Sequence, residues 1–128
     1  MSDEDFLGLL EDGSLPPGDF DHAAHVRAAW LCLRRDGFVG GMARFRASLR
    51  AFAARHGAPE KYHETVTVAF LALIHERLHE APAGEGWQDF AARNPDLFAR
   101  DILQRYYRPE TLASPRAKAV FVMERWVQ

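Results

Sequence analysis

The helical spacing of the apolar residues is the feature that most limits how this chain of 128 residues can fold. Between positions 39 and 56, apolar residues recur every three or four positions, at Met42, Phe45, Leu49 and Phe52. That spacing places side chains on one face of an α-helix. No run of strictly alternating apolar and polar residues predicts a ladder of strands. We therefore expect an all-α protein, a single-domain bundle of five or six helices.

Capping residues, glycines and prolines divide the helical pattern into segments. Serine and aspartate favour helix starts, glycine favours helix ends, and proline is tolerated only in the first turn. The loops expected from these signals are 14–20 and 81–86. The expected helices are a short one from the Ser2 N-cap to Gly13, one from the Asp21 N-cap to about Asp36 with Gly37 as its stop, and then about 39–56, 59–80, 87–92 and 94–107.

The chain is long enough for one domain, and a chain of this length buries about two thirds of its unfolded surface. Apolar residues make up 48% of the sequence, which argues against disorder. We predict a single domain over 1–128. It would comprise an N-terminal helix and loop (1–19), a helical core (20–107), and a tail (108–128) that packs on the core as a last turn or a short extended flap.

Charge and cysteine content exclude several classes of protein. Sixteen basic and eighteen acidic residues give a net charge of −2, so electrostatics gives no reason to expect a nucleic-acid partner. Cys32 is the only cysteine, which excludes an internal disulfide. The acidic N-terminus does not resemble a signal peptide, and the longest apolar run is too short to span a membrane. We expect a cytoplasmic protein without a membrane partner; the oligomeric state stays open.

The segment FDHAAHVRAAW (20–30) places His22 and His25 three residues apart within an apolar run. At 100° per residue, both histidines fall on the apolar or half-buried face of the expected helix. The segment KYHET supplies a second pair, His63 and Glu64, near the start of the helix expected over 59–80. Short loops make neighbouring helices antiparallel. The helix that begins at Asp21 and the helix over 59–80 are separated by one helix, so they run in the same direction. All four side chains should therefore lie at one end of the bundle.

This arrangement predicts a site for a divalent transition metal, Zn, Cu, Fe or Ni, bound through neutral imidazole nitrogens. The proposed ligands are His22, His25, His63 and Glu64. Glu64 could instead act as the catalytic general base beside the metal. The leading hypothesis is thus a small metal-dependent enzyme with a small-molecule substrate. Whether its chemistry would be redox or hydrolytic stays open.

Two other interpretations of the histidines remain. They could form a metal-free acid–base or ligand-binding site. They could also form a buried, hydrogen-bonded structural network inside a non-catalytic module that binds a small molecule or a protein.

The segment HERLH (75–79) matches the H-E-x-x-H pattern of zinc proteases. Its two histidines and glutamate fall on the polar face of the expected helix, and no third ligand follows. We interpret the segment as a solvated face with cationic groups near the helix C-terminus. Cys32 is expected to be a small core residue.

The segments FDHAAHVRAAW, KYHETVTVAF, NPDLF and TLASP occur in this order along the chain. With them, the chain resembles a group of small uncharacterised bacterial helical proteins, over Phe20 to about Val122. The resemblance implies a bacterial, free-standing protein. It draws attention to His22, His25, His63 and Glu64, and it implies no particular activity.

Overall fold

A computed structural model describes residues 1–126, and these residues form an all-α domain without strands. The predicted fold class is confirmed. Short 3₁₀ helices lie at 17–19, 59–61, 95–98 and 102–105. The α-helices are α1 (Asp3–Asp12), α2 (His22–Arg55), α3 (Glu64–His79), α4 (Trp87–Arg93), α5 (Pro109–Leu112) and α6 (Pro115–Ala119).

Helix α1 begins and ends where the sequence predicts. The Ser2 hydroxyl accepts a hydrogen bond from the Asp5 N–H, and Gly13 ends the helix in the left-handed conformation with φ of 82°. Phe6, Leu7 and Leu10 are buried. The Arg27 guanidinium binds Asp3, which ties the acidic first turn to α2.

Helix α2 is broken at Gly37, whose φ of 75° and ψ of −172° are not helical. The break divides α2 into a first arm (22–36) and a second arm (38–55), the two helices that the sequence predicts. A Cβ atom at Gly41 would lie 2.6 Å from the Cys32 carbonyl oxygen and 2.7 Å from the Leu33 Cα. The absence of a side chain at Gly41 therefore lets the two arms approach closely next to the break.

Helix α3 begins at Glu64, so the predicted start at Pro59 is wrong. Pro59–Lys61 forms one 3₁₀ turn, after which Tyr62 and His63 are extended. The His63 ring then caps α3, with Nδ1 accepting the Val66 N–H at 3.1 Å. This side-chain cap satisfies a donor that a longer helix would have paired with a backbone carbonyl.

The single helix predicted over 94–107 is also wrong, because two 3₁₀ turns replace it, with extended backbone at Ala99. A continuous α-helix would place Leu97 and Ile102 about 140° apart, so one face could not bury both. Both are buried, with exposed fractions of 0% and 3%. The irregular backbone thus buries apolar side chains that a straight helix would have separated.

The C-terminal tail contains both structures that the sequence allowed. The Ser114 hydroxyl caps α6, the backbone at Val120 is extended, and residues 121–126 lie outside any helix. The buried Thr65 hydroxyl donates to the Val120 carbonyl at 2.8 Å and accepts the Val122 N–H at 3.1 Å. One side chain of α3 therefore holds the segment 120–122 against the core.

The core lies where α3 packs against both arms of α2. Helix α1 and the segment from α4 to 105 cover its remaining sides. The largest fully buried side chains include Trp30, Phe90, Leu71 and Ile74. None of the helices in 1–126 has both the length and the apolar character required to cross a membrane.

We predict that Gly41→Ala lowers the free energy of unfolding by about 1–3 kcal/mol, because the added methyl group collides with backbone. Gly8→Ala is the matched control. A Cβ there meets nothing within 4 Å, and alanine favours a helix interior by about 0.5–1 kcal/mol. Urea denaturation of both variants measures the difference, and equal stability of the two would contradict the close approach at Gly41.

Candidate functional site

A cavity of about 450 Å³ lies between the two arms of α2, the first turns of α3 and the segment 100–103. Its wall is mainly aliphatic and aromatic, with the two imidazoles of the first arm among the lining groups. The lining residues are Phe20, Asp21, His22, His25, Phe45, Leu49, Val66, Thr67, Phe70, Leu71, Arg100, Ile102 and Leu103.

The His22 ring is oriented by the segment that follows α4. Its Nε2 lies 3.1 Å from the Leu97 carbonyl oxygen, and its ring lies edge-on to Phe70 at 5.6 Å between centroids. A carbonyl oxygen only accepts hydrogen bonds, so Nε2 carries the proton and donates. In the neutral ring, Nδ1 then has an unprotonated lone pair.

The His25 ring has the opposite tautomer. Its Nδ1 donates to the Asp21 carbonyl oxygen at 2.7 Å, and the ring stacks on Phe20 at 3.8 Å. Burial lowers the pKa of His25 because it disfavours the charged form; the hydrogen bond to Asp21 opposes this effect. A neutral His25 therefore presents Nε2 as an acceptor.

Side-chain nitrogen and oxygen atoms that are fully buried all have a partner in the part of the chain that the structure describes. His22 Nδ1 and His25 Nε2 have no protein partner in that part of the chain. These two nitrogens are therefore not fully buried and are accessible to solvent. The cavity thus has an apolar wall with two hydrogen-bond acceptors among its groups.

His63 is engaged at both ring nitrogens. Nδ1 accepts the Val66 N–H at 3.1 Å, so Nε2 must carry the proton, which it donates to the Leu112 carbonyl at 2.7 Å. The ring links the start of α3 to the end of α5. Neither nitrogen has a lone pair available for a metal while these bonds persist.

Glu64 forms a two-point ion pair with Arg46, with N–O distances of 3.0 and 2.6 Å. The Tyr62 hydroxyl donates to the same carboxylate at 2.5 Å. Burial acts to raise the pKa of Glu64, but the hydrogen bonds from Arg46 and Tyr62 prevail and the pKa is lowered. A carboxylate held in this way is a weak base, and its oxygens are occupied by donors.

The four site residues predicted from the sequence lie at one end of the bundle. The shared cavity shows this, since the first turns of α3 and of the first arm of α2 both line it. His22 and His25 line it; His63 and Glu64 do not. Over residues 1–126, no three His, Cys, Asp or Glu side chains are grouped so that they could hold a metal ion. The four-ligand metal site, with Glu64 as ligand or base, therefore stays a prediction that this geometry does not support.

The other histidine motif lies elsewhere. His75 packs against Phe38 at 4.8 Å between centroids, while Glu76 and His79 are exposed. Arg77, between them, binds Asn94 and Asp96. Glu76 and His79 thus have the exposed placement expected for HERLH, whereas His75 is half-buried, and none of the three lines the cavity.

Cys32 is fully buried, and burial raises the pKa of its thiol to about 12. It is therefore a core residue, as expected. Thr67 donates to the His63 carbonyl at 2.7 Å, so this lining hydroxyl is bonded within its own helix.

Sequence reasoning did not assign Phe45, Leu49, Phe70 or Arg100 to the site. The first three residues lie on helix faces that the sequence predicts to be apolar. That pattern predicts burial of their side chains but does not predict a cavity beside them. Arg100 had no signal, because its position depends on the irregular backbone around Ala99. Comparisons of the chain with protein-family models, curated proteins and solved structures returned no match.

We predict that the free energy of unfolding falls as pH decreases below about 6.5, the ordinary imidazole pKa. Below that value the unfolded chain binds a proton at position 25, whereas the folded protein resists it because the pKa is lowered. Above pH 6.5 both states are neutral there, and His25 adds no pH dependence.

The His25→Asn variant keeps a donor for the Asp21 carbonyl but does not titrate. Urea denaturation between pH 7 and 5 should therefore show a smaller loss of stability for this variant than for the parent chain. His79→Asn, at an exposed position, is the control and should retain the parent slope. Identical slopes for the parent and His25→Asn would exclude this role of His25.

Proposed function

We propose that this protein is a non-catalytic binding module for a small, largely apolar molecule. The observation that carries the proposal is the 450 Å³ cavity between the arms of α2 and α3. Its size is within the range of small-molecule sites, which are concave and apolar with a few polar groups. A non-catalytic module that binds a small molecule is one of the interpretations that the histidine pattern left open.

The two imidazoles would supply orientation. His22 and His25 have their N–H groups bonded to the main-chain carbonyls of Leu97 and Asp21, which restricts rotation of both rings. Their remaining nitrogens are acceptors suited to a hydroxyl or N–H group of a ligand. Phe70 and Phe20, in contact with these rings, would provide the apolar surface beside them.

Val66 offers a direct test, because it lines the cavity yet is 36% exposed. In Val66→Trp the indole should occupy part of the cavity and exclude ligand. If the indole displaces two methylene groups of the ligand from the cavity, the binding free energy weakens by about 1.6 kcal/mol. The affinity for 1-octanol should therefore fall at least about tenfold. Isothermal titration calorimetry with the full chain measures this change.

Val39→Trp is the matched control, since Val39 is also helical, is 81% exposed and lies outside the cavity. It should bind 1-octanol like the parent chain. Thermal denaturation of both variants checks that they are folded. Equal octanol affinity in the Val66 and Val39 variants, or no octanol binding by the parent chain, would refute binding in this cavity.

A metal-dependent enzyme is the second candidate. What favours it is the hydrogen bond from each imidazole N–H to a carbonyl, an arrangement that commonly orients metal-ligating histidines. His22 and His25 would then be protein ligands, and a substrate or solvent would complete the coordination. His63 and Glu64 would contribute only if they left their present partners. A cytoplasmic location is part of either proposal.

Zinc or copper should then raise the melting temperature of the parent chain but not of His22→Ala or His25→Ala. His75→Ala and His79→Ala, in HERLH, are controls that should keep the metal effect. The chain should carry no affinity tag, and elemental analysis gives the bound metal. A metal effect that is lost only in the HERLH variants, or that is absent from the parent chain, would reject metal binding at His22 and His25.

A further inference from the structure

The cavity has one basic group at its edge. Arg100 is an exposed lining residue between the two 3₁₀ turns of 95–105, and its guanidinium has no ion-pair partner among residues 1–126. Most other arginines pair with a carboxylate or stack on an aromatic ring; Arg77 and Arg105 share Asp96, and Arg108 lies over Trp126. Arg100 thus places a charge that has no ion-pair partner within 1–126 beside the apolar wall of this cavity.

The other charged lining residue is Asp21. Its carboxylate is already used, because Oδ1 accepts the Ala24 N–H at 2.9 Å and caps the first arm of α2. The positive end of the helix dipole also compensates its charge. Neither Asp21 nor Arg100 has an ion-pair partner among residues 1–126, but Asp21 is bonded to the helix start and Arg100 has no side-chain hydrogen bond there. The guanidinium of Arg100 therefore favours an anionic ligand group.

The chemistry of the imidazoles limits where such an anion binds. His22 Nδ1 and His25 Nε2 are acceptors in the neutral rings, and a carboxylate is an acceptor as well. The two do not pair without an added proton. The planar guanidinium of Arg100, in contrast, can donate two parallel hydrogen bonds to one carboxylate.

We infer that the ligand is an amphipathic monocarboxylate, whose apolar chain occupies the cavity and whose carboxylate binds Arg100 at the cavity edge. The inference rests on the proposed binding function and adds the class of ligand. The chain would contact Phe45, Leu49 and Phe70, and the anion would stay near solvent, where its desolvation cost is small.

Calorimetric titration of the full chain with octanoate, 1-octanol and octylammonium separates the contribution of the head group from that of the chain. We expect octanoate to bind about tenfold more tightly than 1-octanol, the size of one charge-assisted contact. Arg100→Gln should remove this advantage and leave the affinity for 1-octanol unchanged. Arg116→Gln, an exposed arginine outside the cavity, should preserve it.

Equal affinities for octanoate and 1-octanol, or an octanoate advantage that survives Arg100→Gln, would overturn the carboxylate assignment. Tighter binding of octylammonium would also overturn it and would point to Asp21 as the head-group partner. In each of these cases 1-octanol still binds and Val66→Trp still weakens it, so the proposed binding function stands. Failure of all three compounds to bind would refute both.

Discussion

The close approach of the two arms of α2 is the constraint on which the rest of the structure depends. Gly37 reverses the chain with a positive φ, and Gly41 removes the side chain that would hold the arms apart. Interiors are close-packed, so even one extra methyl group at such a contact would displace backbone. With the arms together, α3 can pack on both of them, and the cavity forms at the opposite end from the reversal.

The histidines of that cavity illustrate how half-buried polar groups are accommodated. Each ring donates one N–H to a main-chain carbonyl, His22 to Leu97 and His25 to Asp21. These bonds satisfy the donors and assign the tautomers, while Phe20 and Phe70 contact the ring faces and edges. The remaining acceptors suit a hydroxyl or N–H group of a bound molecule, whereas the charge of Arg100 suits its carboxylate.

His63 and Glu64, by contrast, have structural partners. His63 joins the start of α3 to Leu112, and Glu64 joins the start of α3 to Arg46 and Tyr62. Geometry along a helix correctly indicated that these residues lie at the same end of the bundle as His22 and His25. It gave no information on which neighbour would bind each side chain, because those partners come from α2 and α5 and depend on tertiary packing.

By itself, the sequence determined the helical class, the reversal at Gly37, the caps at Ser2 and Asp21, and the shared bundle end of the histidines. These features follow from local spacing and from residues with strong conformational preferences, which act within one or two turns. Tertiary structure alone decided the start of α3 at Glu64, the two 3₁₀ turns of 95–105 and the position of Arg100. Helix propensity is a weak preference of under about 1 kcal/mol per residue. In 95–105 it was outweighed by the burial of Leu97 and Ile102, and at the start of α3 by the His63 cap.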